Sequence, residues 1–217
     1  MSMSETGAPV SVGEPAPDFR LPAVDGKSTV SLADYRGRTP VFLALLNGLW
    51  CPFCRRQIVR IGAVETKLKT LGVTSLGVVA TAPENAQLYF RFRPTRLVLG
   101  ADPALSTHQA YRVPRPAMDA AMAEALGATR INPTGELPAA LPIMDAMVEL
   151  TRLDGYTETP TDSAEREHQL PLLKAQYMID RDGIVRWLNI ECVADGLAGA
   201  GRFPSDEELL AAAQALH

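Results

Sequence analysis

The run Val41-Phe42-Leu43-Ala44-Leu45-Leu46 is apolar at every position, follows Arg36-Gly37-Arg38-Thr39-Pro40 and ends at Asn47-Gly48. A strand buried on both faces reads this way. The period then changes. Ile58, Ile61, Val64 and Leu68 recur three or four residues apart until Gly72, and Pro52 stands where a first helical turn has no use for an N–H. A helix is therefore predicted from about Pro52 to Leu71. A second buried strand over 73–80, a helix over 83–92 and a strand over 96–99 follow. Strands and helices alternating at these lengths imply an α/β fold with a parallel-centred sheet.

Either side of this unit the signals are shorter. Residues up to about Pro17 are small, polar and proline-rich, and suggest a loosely held lead-in, flexible over 1–12. Asp25-Gly26 separates the extended segments Phe19-Arg20-Leu21 and Thr29-Val30-Ser31-Leu32, as a hairpin turn would. Near the C-terminus Gln176 to Asp180, a turn at Asp182-Gly183 and Ile184 to Leu188 predict a second hairpin. Ser205 and Glu208 form a capping box opening a last helix that runs to Leu216. Between the halves, residues 111–173 read as an insertion too short for a core of its own, with helices over 117–126 and 141–150 and a polar, loop-like stretch over 157–168. A single domain of 217 residues is expected.

Composition narrows the partners. Apolar residues make up 47% and charged residues 21% of the chain, ordinary values for a soluble globular protein. The net charge of −4 and dispersed basic residues, apart from Arg91, Arg93 and Arg96, give no footprint for nucleic acid. No apolar run approaches the ~18 residues of a membrane span, and the N-terminus lacks the basic and apolar regions of a signal peptide. A cytoplasmic protein is expected, in which three cysteines do not make a structural disulfide framework.

Two of those cysteines fall in Trp50-Cys51-Pro52-Phe53-Cys54-Arg55-Arg56. The predicted helix places Cys51 at its N-terminus and Cys54 one turn in. Free N–H groups and the positive end of the helix dipole favour a thiolate there, and can bring a thiol from about 8.5 to roughly 3.5–7.5. Arg55 and Arg56 are expected to add positive charge. The spacing lets Cys54 attack a mixed disulfide or sulfenic acid formed on Cys51, so Cys51 is assigned as the attacking thiol and Cys54 as the resolving one. Two other readings compete: inert packing, and half of a zinc site. A structural zinc needs a second ligand pair, and Cys192, His108, His168 and His217 are not paired at ligand spacing, so no metal is expected. Trp50 either shields the sulfur or packs, and Cys192 is either a third redox thiol or a small buried hydrophobe. The histidines are weak candidates for a catalytic base, which sets aside a Cys-His hydrolase.

The segments around this motif resemble the peroxiredoxin-like branch of the thioredoxin fold, the alkyl hydroperoxide reductase and thiol-specific antioxidant family. Gly13-Glu14-Pro15-Ala16-Pro17-Asp18-Phe19-Arg20-Leu21-Pro22 is similar to its opening segment, Ser31-Leu32-Ala33-Asp34-Tyr35-Arg36-Gly37 to its lead into the central strand, and Tyr177 to Val185 to its late hairpin. The resemblance implies a central mixed β-sheet flanked by helices, with an N-terminal hairpin and the insertion before the late hairpin. Ala44 and Gly48 stand where the family places Pro and Thr or Ser, and Lys174 aligns with its supporting Arg. Dithiol reductases of the same superfamily carry a cis-Pro opposite the motif, where this chain again has Lys174, with Pro171 three positions earlier.

Together these features predict a thiol-dependent oxidoreductase needing no cofactor. Cys51 and Cys54 cycle between dithiol and disulfide, supported by Trp50, Pro52, Arg55 and Lys174. The substrate is a peroxide or a disulfide, the reductant is thioredoxin-like or of the glutathione type, and self-association would take the form of a homodimer. The alternative is a non-catalytic redox-sensing or binding protein on the same scaffold.

Overall fold

The computed structural model describes residues 7–216; the start of the lead-in, 1–6, and His217 lie outside them. A five-stranded mixed sheet runs in the order β5 (Val98–Ala101), β4 (Thr74–Val79), β3 (Val41–Leu46), β8 (Ala175–Ile179) and β9 (Val185–Ile190). At its centre β3 is buried along its whole length, because both faces are covered. It pairs in parallel with β4, and β4 pairs likewise with β5. The crossovers are α1 (Pro52–Thr70) and α2 (Pro83–Phe92). Helix α1 buries Ile58, Ile61, Val64 and Leu68, the spacing read in the sequence.

On the other side of β3 the direction reverses. β8 and β9 run antiparallel, with Leu45 opposite Ala175 and Ala175 opposite Ile190. This register brings the end of β3, the residue before β8 and the residue after β9 to one edge of the sheet. The N-terminal hairpin, β1 (Arg20–Pro22) with β2 (Thr29–Ser31), lies beside β5 through Ala23 and Gly100.

Several boundaries differ from the sequence reading. The lead-in is held from Val10 onward: its N–H donates to Tyr111 O, and Gly13, Glu14 and Ala16 exchange backbone hydrogen bonds with Gly183 and Val185. β5 starts two residues late because Leu97 N–H donates to Thr95 Oγ1, which keeps Arg96 and Leu97 in a turn.

α3 (Ser106–Ala110) lies just before the insertion, whose first helix, α4 (Ala120–Ala128), starts where Asp119 caps Met122 N–H at 2.8 Å. Pro142 keeps Leu141 extended, so Leu141–Pro142 forms a short strand, β7, against β6 (Arg130–Ile131), and the next helix, α5, spans Ile143–Leu153. The stretch 157–168, read as a loop, is largely the helix α6 (Pro160–Gln169). Thr159 and Asp162 cap it reciprocally and Pro160 occupies its first turn. The last helix, α7 (Asp206–Gln214), has the expected box at Ser205 and Glu208 and ends two residues early. Ile131, Ile143, Ala146 and Leu150 of the insertion belong to the same continuous apolar core as the sheet.

Candidate active site

The chain leaves β3 at Asn47, turns through Gly48-Leu49-Trp50 and enters α1 at Pro52, so Cys51 is the N-cap residue. Its Sγ accepts the Cys54 N–H at 3.4 Å, one of the donors a helix start leaves without an intrahelical partner. Both thiols are free and buried, Cys51 2% and Cys54 0% exposed. Burial alone pushes the Cys51 thiol up; the hydrogen bond from the Cys54 thiol, the charge of Lys174 and the Cys54 N–H outweigh it and bring it down to about 7. Cys54 moves the other way, well above an ordinary thiol, through burial, its own hydrogen bond to Cys51 and the Cys51 charge. One sulfur is thus poised to ionise near neutrality while its neighbour keeps its proton.

Lys174 reaches this site through the sheet register. It directly precedes β8, Glu191 directly follows β9, and the two form a buried ion pair. Glu191 also accepts the backbone N–H of Gly201 at 2.7 Å and of Lys174 at 3.2 Å, and the Lys174 ammonium lies 5.6 Å from the centroid of the Phe53 ring. Burial lowers the affinity of Lys174 for its proton, but Glu191 and the two sulfurs more than compensate, so it stays charged.

Cys51, Lys174 and Glu191 form part of the wall of a cavity of about 90 Å³. Apart from Asn47 the rest is apolar and supplied largely by the insertion, including Met118, Met122, Met144 and Met147. The peptide bond Leu170–Pro171 is cis, and Pro171 faces this cavity as well. Cys192 lines it too, at a positive φ of 63°. Burial pushes the Cys192 thiol up to about 12, so it holds its proton where Cys51 does not.

The loop itself is clamped by a residue the sequence reading passed over. Gln169, at the end of α6 and buried, accepts the Gly48 N–H at 2.6 Å and the Trp50 indole N–H at 2.7 Å through one oxygen, and its Nε2 donates to Ala80 O. Trp50 packs inside this clamp with its edge on the cavity. A Cβ on Gly48 would lie 2.6 Å from Trp50 Cδ1 and 2.9 Å from Gln169 Oε1. The space a threonine would need here is already filled. In sequence Gln169 is only a glutamine following a stretch read as a loop, which does not separate it from an ordinary surface residue.

Arg55 and Arg56 do not play the electrostatic part expected of them. Neither lines the Cys51 cavity; both line a neighbouring cleft. Arg55 is buried, so its donors need partners. It finds them in Asp154 at 2.7 Å, in the carbonyls of Leu49 and Trp50, and in the Tyr156 ring face at 4.2 Å. Arg56 pairs with Glu136 and Asp154. Arg55 therefore braces the loop from behind. Among the described residues no group of three His, Cys, Asp or Glu side chains is placed to hold a metal ion. His108 is buried in α3, where burial pushes it down to about 4, and His168 is exposed. No helix among the described residues is long and apolar enough to cross a membrane.

Known proteins can be set against this geometry. No curated protein matches the chain in sequence. Among solved structures it is similar to the peroxidoxin BcpB of Mycobacterium tuberculosis, with a TM-score of 0.59, 13% identity and coverage of 96% of this chain and 99% of that one. It is also similar to a reduced 2-Cys peroxiredoxin of Plasmodium vivax, with a TM-score of 0.58, 19% identity and coverage of 96% and 82%. A protein of Chlorobium tepidum assigned as a thiol:disulfide interchange protein DsbE gives a TM-score of 0.51 at 19% identity, over 94% and 99% of the two chains. At these identities the likeness is one of fold, a thioredoxin-like mixed sheet flanked by helices. The AhpC/TSA family model matches residues 12–188. That span runs from the tethered lead-in through the Cys51 loop to the late hairpin, and the chain therefore belongs to the AhpC/TSA family.

Proposed function

We propose that this protein is a thiol-dependent peroxidase in which Cys51 attacks a small hydroperoxide and Cys54 resolves the product to a disulfide. The observation that carries this reading is the pairing of two sulfurs with opposite proton affinities at one helix start. Cys51 is drawn down to about 7 and Cys54 held well above an ordinary thiol. At neutral pH the first is substantially thiolate, the reactive form, and the second stays protonated until needed.

Attack on the terminal oxygen of a hydroperoxide forms a sulfenic acid on Cys51 and releases an alcohol or water. Cys54 then displaces water to close the disulfide, and an external thiol system, thioredoxin-like or of the glutathione type, returns the pair to the dithiol. The cavity favours a peroxide over a protein disulfide. Cys51 is 2% exposed at the base of a small cavity walled largely by apolar side chains of the insertion, surroundings suited to a small hydroperoxide.

Stopped-flow oxidation of the reduced protein by hydrogen peroxide, followed by intrinsic fluorescence with Cys51→Ser as control, tests this. A fast Cys51-dependent phase ending in a Cys51–Cys54 disulfide is expected. Oxidation no faster than that of a free thiol would remove the peroxidase reading in favour of disulfide exchange or a redox-sensing role.

A further inference from the structure

The basic cluster Arg91, Arg93 and Arg96, which the sequence sets apart, lies at the end of α2 and outside the Cys51 cavity. The structure divides its members. Arg93 stacks on the Tyr89 ring at 5.3 Å. Arg91 and Arg96 are exposed and make no ion pair among the described residues. With Lys27 of the N-terminal hairpin they line an open cleft of about 710 Å³ beside β5. The carboxylate of that cleft, Asp25, is taken up by its own turn, where it accepts the Lys27 and Ser28 N–H groups at 2.8 and 3.1 Å. Three cations are left facing solvent without a partner.

Next to them α2 turns apolar side chains to water. Leu88 and Phe92 stand four residues apart, hence on one face of the helix, and are 57% and 71% exposed. Phe92 is the only aromatic side chain so exposed among the described residues. Glu84, the one carboxylate of α2, is at the opposite end, about two turns from Phe92. An exposed Leu and Phe flanked by unpaired cations is the composition of a helix that lies at a lipid–water boundary.

We propose that this face docks the protein on an anionic bilayer, with Leu88 and Phe92 entering the boundary between headgroups and acyl chains while Lys27, Arg91 and Arg96 hold lipid phosphates. Guanidinium forks match phosphate oxygens. The apolar pair does not line the cleft, so it meets a fluid apolar phase rather than filling a shaped pocket. Nucleic acid supplies phosphates but no such phase. The chain as a whole carries −4, so attraction to an anionic surface acts only where the positive charge is concentrated, and that fixes which face approaches. The surface lies apart from the Cys51 chemistry and does not depend on it.

Co-sedimentation with vesicles of equal parts phosphatidylglycerol and phosphatidylcholine, and with phosphatidylcholine alone, tests this. Wild type is expected to pellet with the anionic vesicles, to stay in solution with the neutral ones and to be released by added salt. Arg91→Gln/Arg96→Gln should lower the partition about fivefold for each arginine, and Phe92→Ser about tenfold. Val148→Ser, which removes a similarly exposed side chain from α5, should leave it unchanged. All these positions are exposed, and Cys51 alkylation at the wild-type rate checks that each variant keeps its fold. Equal binding to both kinds of vesicle, or variants of the face that pellet like wild type, would overturn the proposal. So would a wild type that the anionic vesicles leave in solution, the outcome expected if the face instead docks an acidic protein.

Discussion

Cys51 owes its acidity to partners of three kinds: the neighbouring thiol, a backbone N–H of its own helix and a lysine 123 positions further along the chain. Its alkylation rate should rise with pH and reach half its plateau near pH 7. Removing the Lys174–Glu191 pair together as Lys174→Met/Glu191→Gln should move that midpoint upward; removing Lys174 alone would also strand a buried carboxylate and cost about 3–5 kcal/mol. The same shift links to stability. The folded thiol titrates below its unfolded value of about 8.5, so its contribution is present above that value and is lost as the pH falls through about 7. Urea unfolding of wild type and Cys51→Ser across this window should diverge by on the order of 2 kcal/mol at the alkaline end. Gly48→Thr, which restores a hydroxyl residue to the loop, is expected to destabilise by about 1–3 kcal/mol and to slow peroxide oxidation, because its Cβ meets Trp50 and Gln169. Thermal melting and stopped-flow rates check both parts.

At the level of elements, α6 does more than fill the insertion. Its N-terminus is closed by Thr159 and Asp162, with the Tyr156 hydroxyl donating to Asp162 at 3.0 Å, and its C-terminus delivers Gln169 into the Cys51 loop. Gln169→Leu leaves the Gly48 N–H, the Trp50 indole N–H and Ala80 O without that partner. A loss of about 3 kcal/mol is expected, with a shift in tryptophan emission and slower Cys51 alkylation; denaturant titration and fluorescence measure them. The polar composition of 157–168 hid this helix. Only Asp162 and Gln169 of α6 are buried, so no apolar stripe marks it, and the capping signal at Thr159-Pro160-Thr161-Asp162 was the one trace of it in the sequence. α1 was legible because its buried face repeats at helical spacing and Pro52 opens it.

For the molecule as a whole, the insertion and the sheet share one core, and the cavity beside Cys51 lies at their junction. Leu150→Ala, in the fully buried face of α5, should therefore lower the stability of the protein by about 2–5 kcal/mol in a single unfolding transition, rather than melt the insertion alone; differential scanning calorimetry distinguishes the two. The alternation of buried strands and amphipathic helices, the hairpins and the position of Cys51 at a helix start were all written locally, in runs of one periodicity bounded by Pro, Gly and capping residues, and the sequence by itself determined them. Cys54 was named from its spacing and Lys174 from the family resemblance, but how the distant partners converge on Cys51 was decided only by the tertiary structure. Lys174, Glu191 and Gln169 meet the loop because β8 returns antiparallel beside β3 and α6 ends above it, and no local pattern encodes that register. The same holds for Arg55: its place next to the cysteines suggested a charge for the thiolate, but a buried guanidinium goes where carboxylate and carbonyl oxygens can satisfy its donors, and Asp154, far away in sequence, turned it to the other side of the loop.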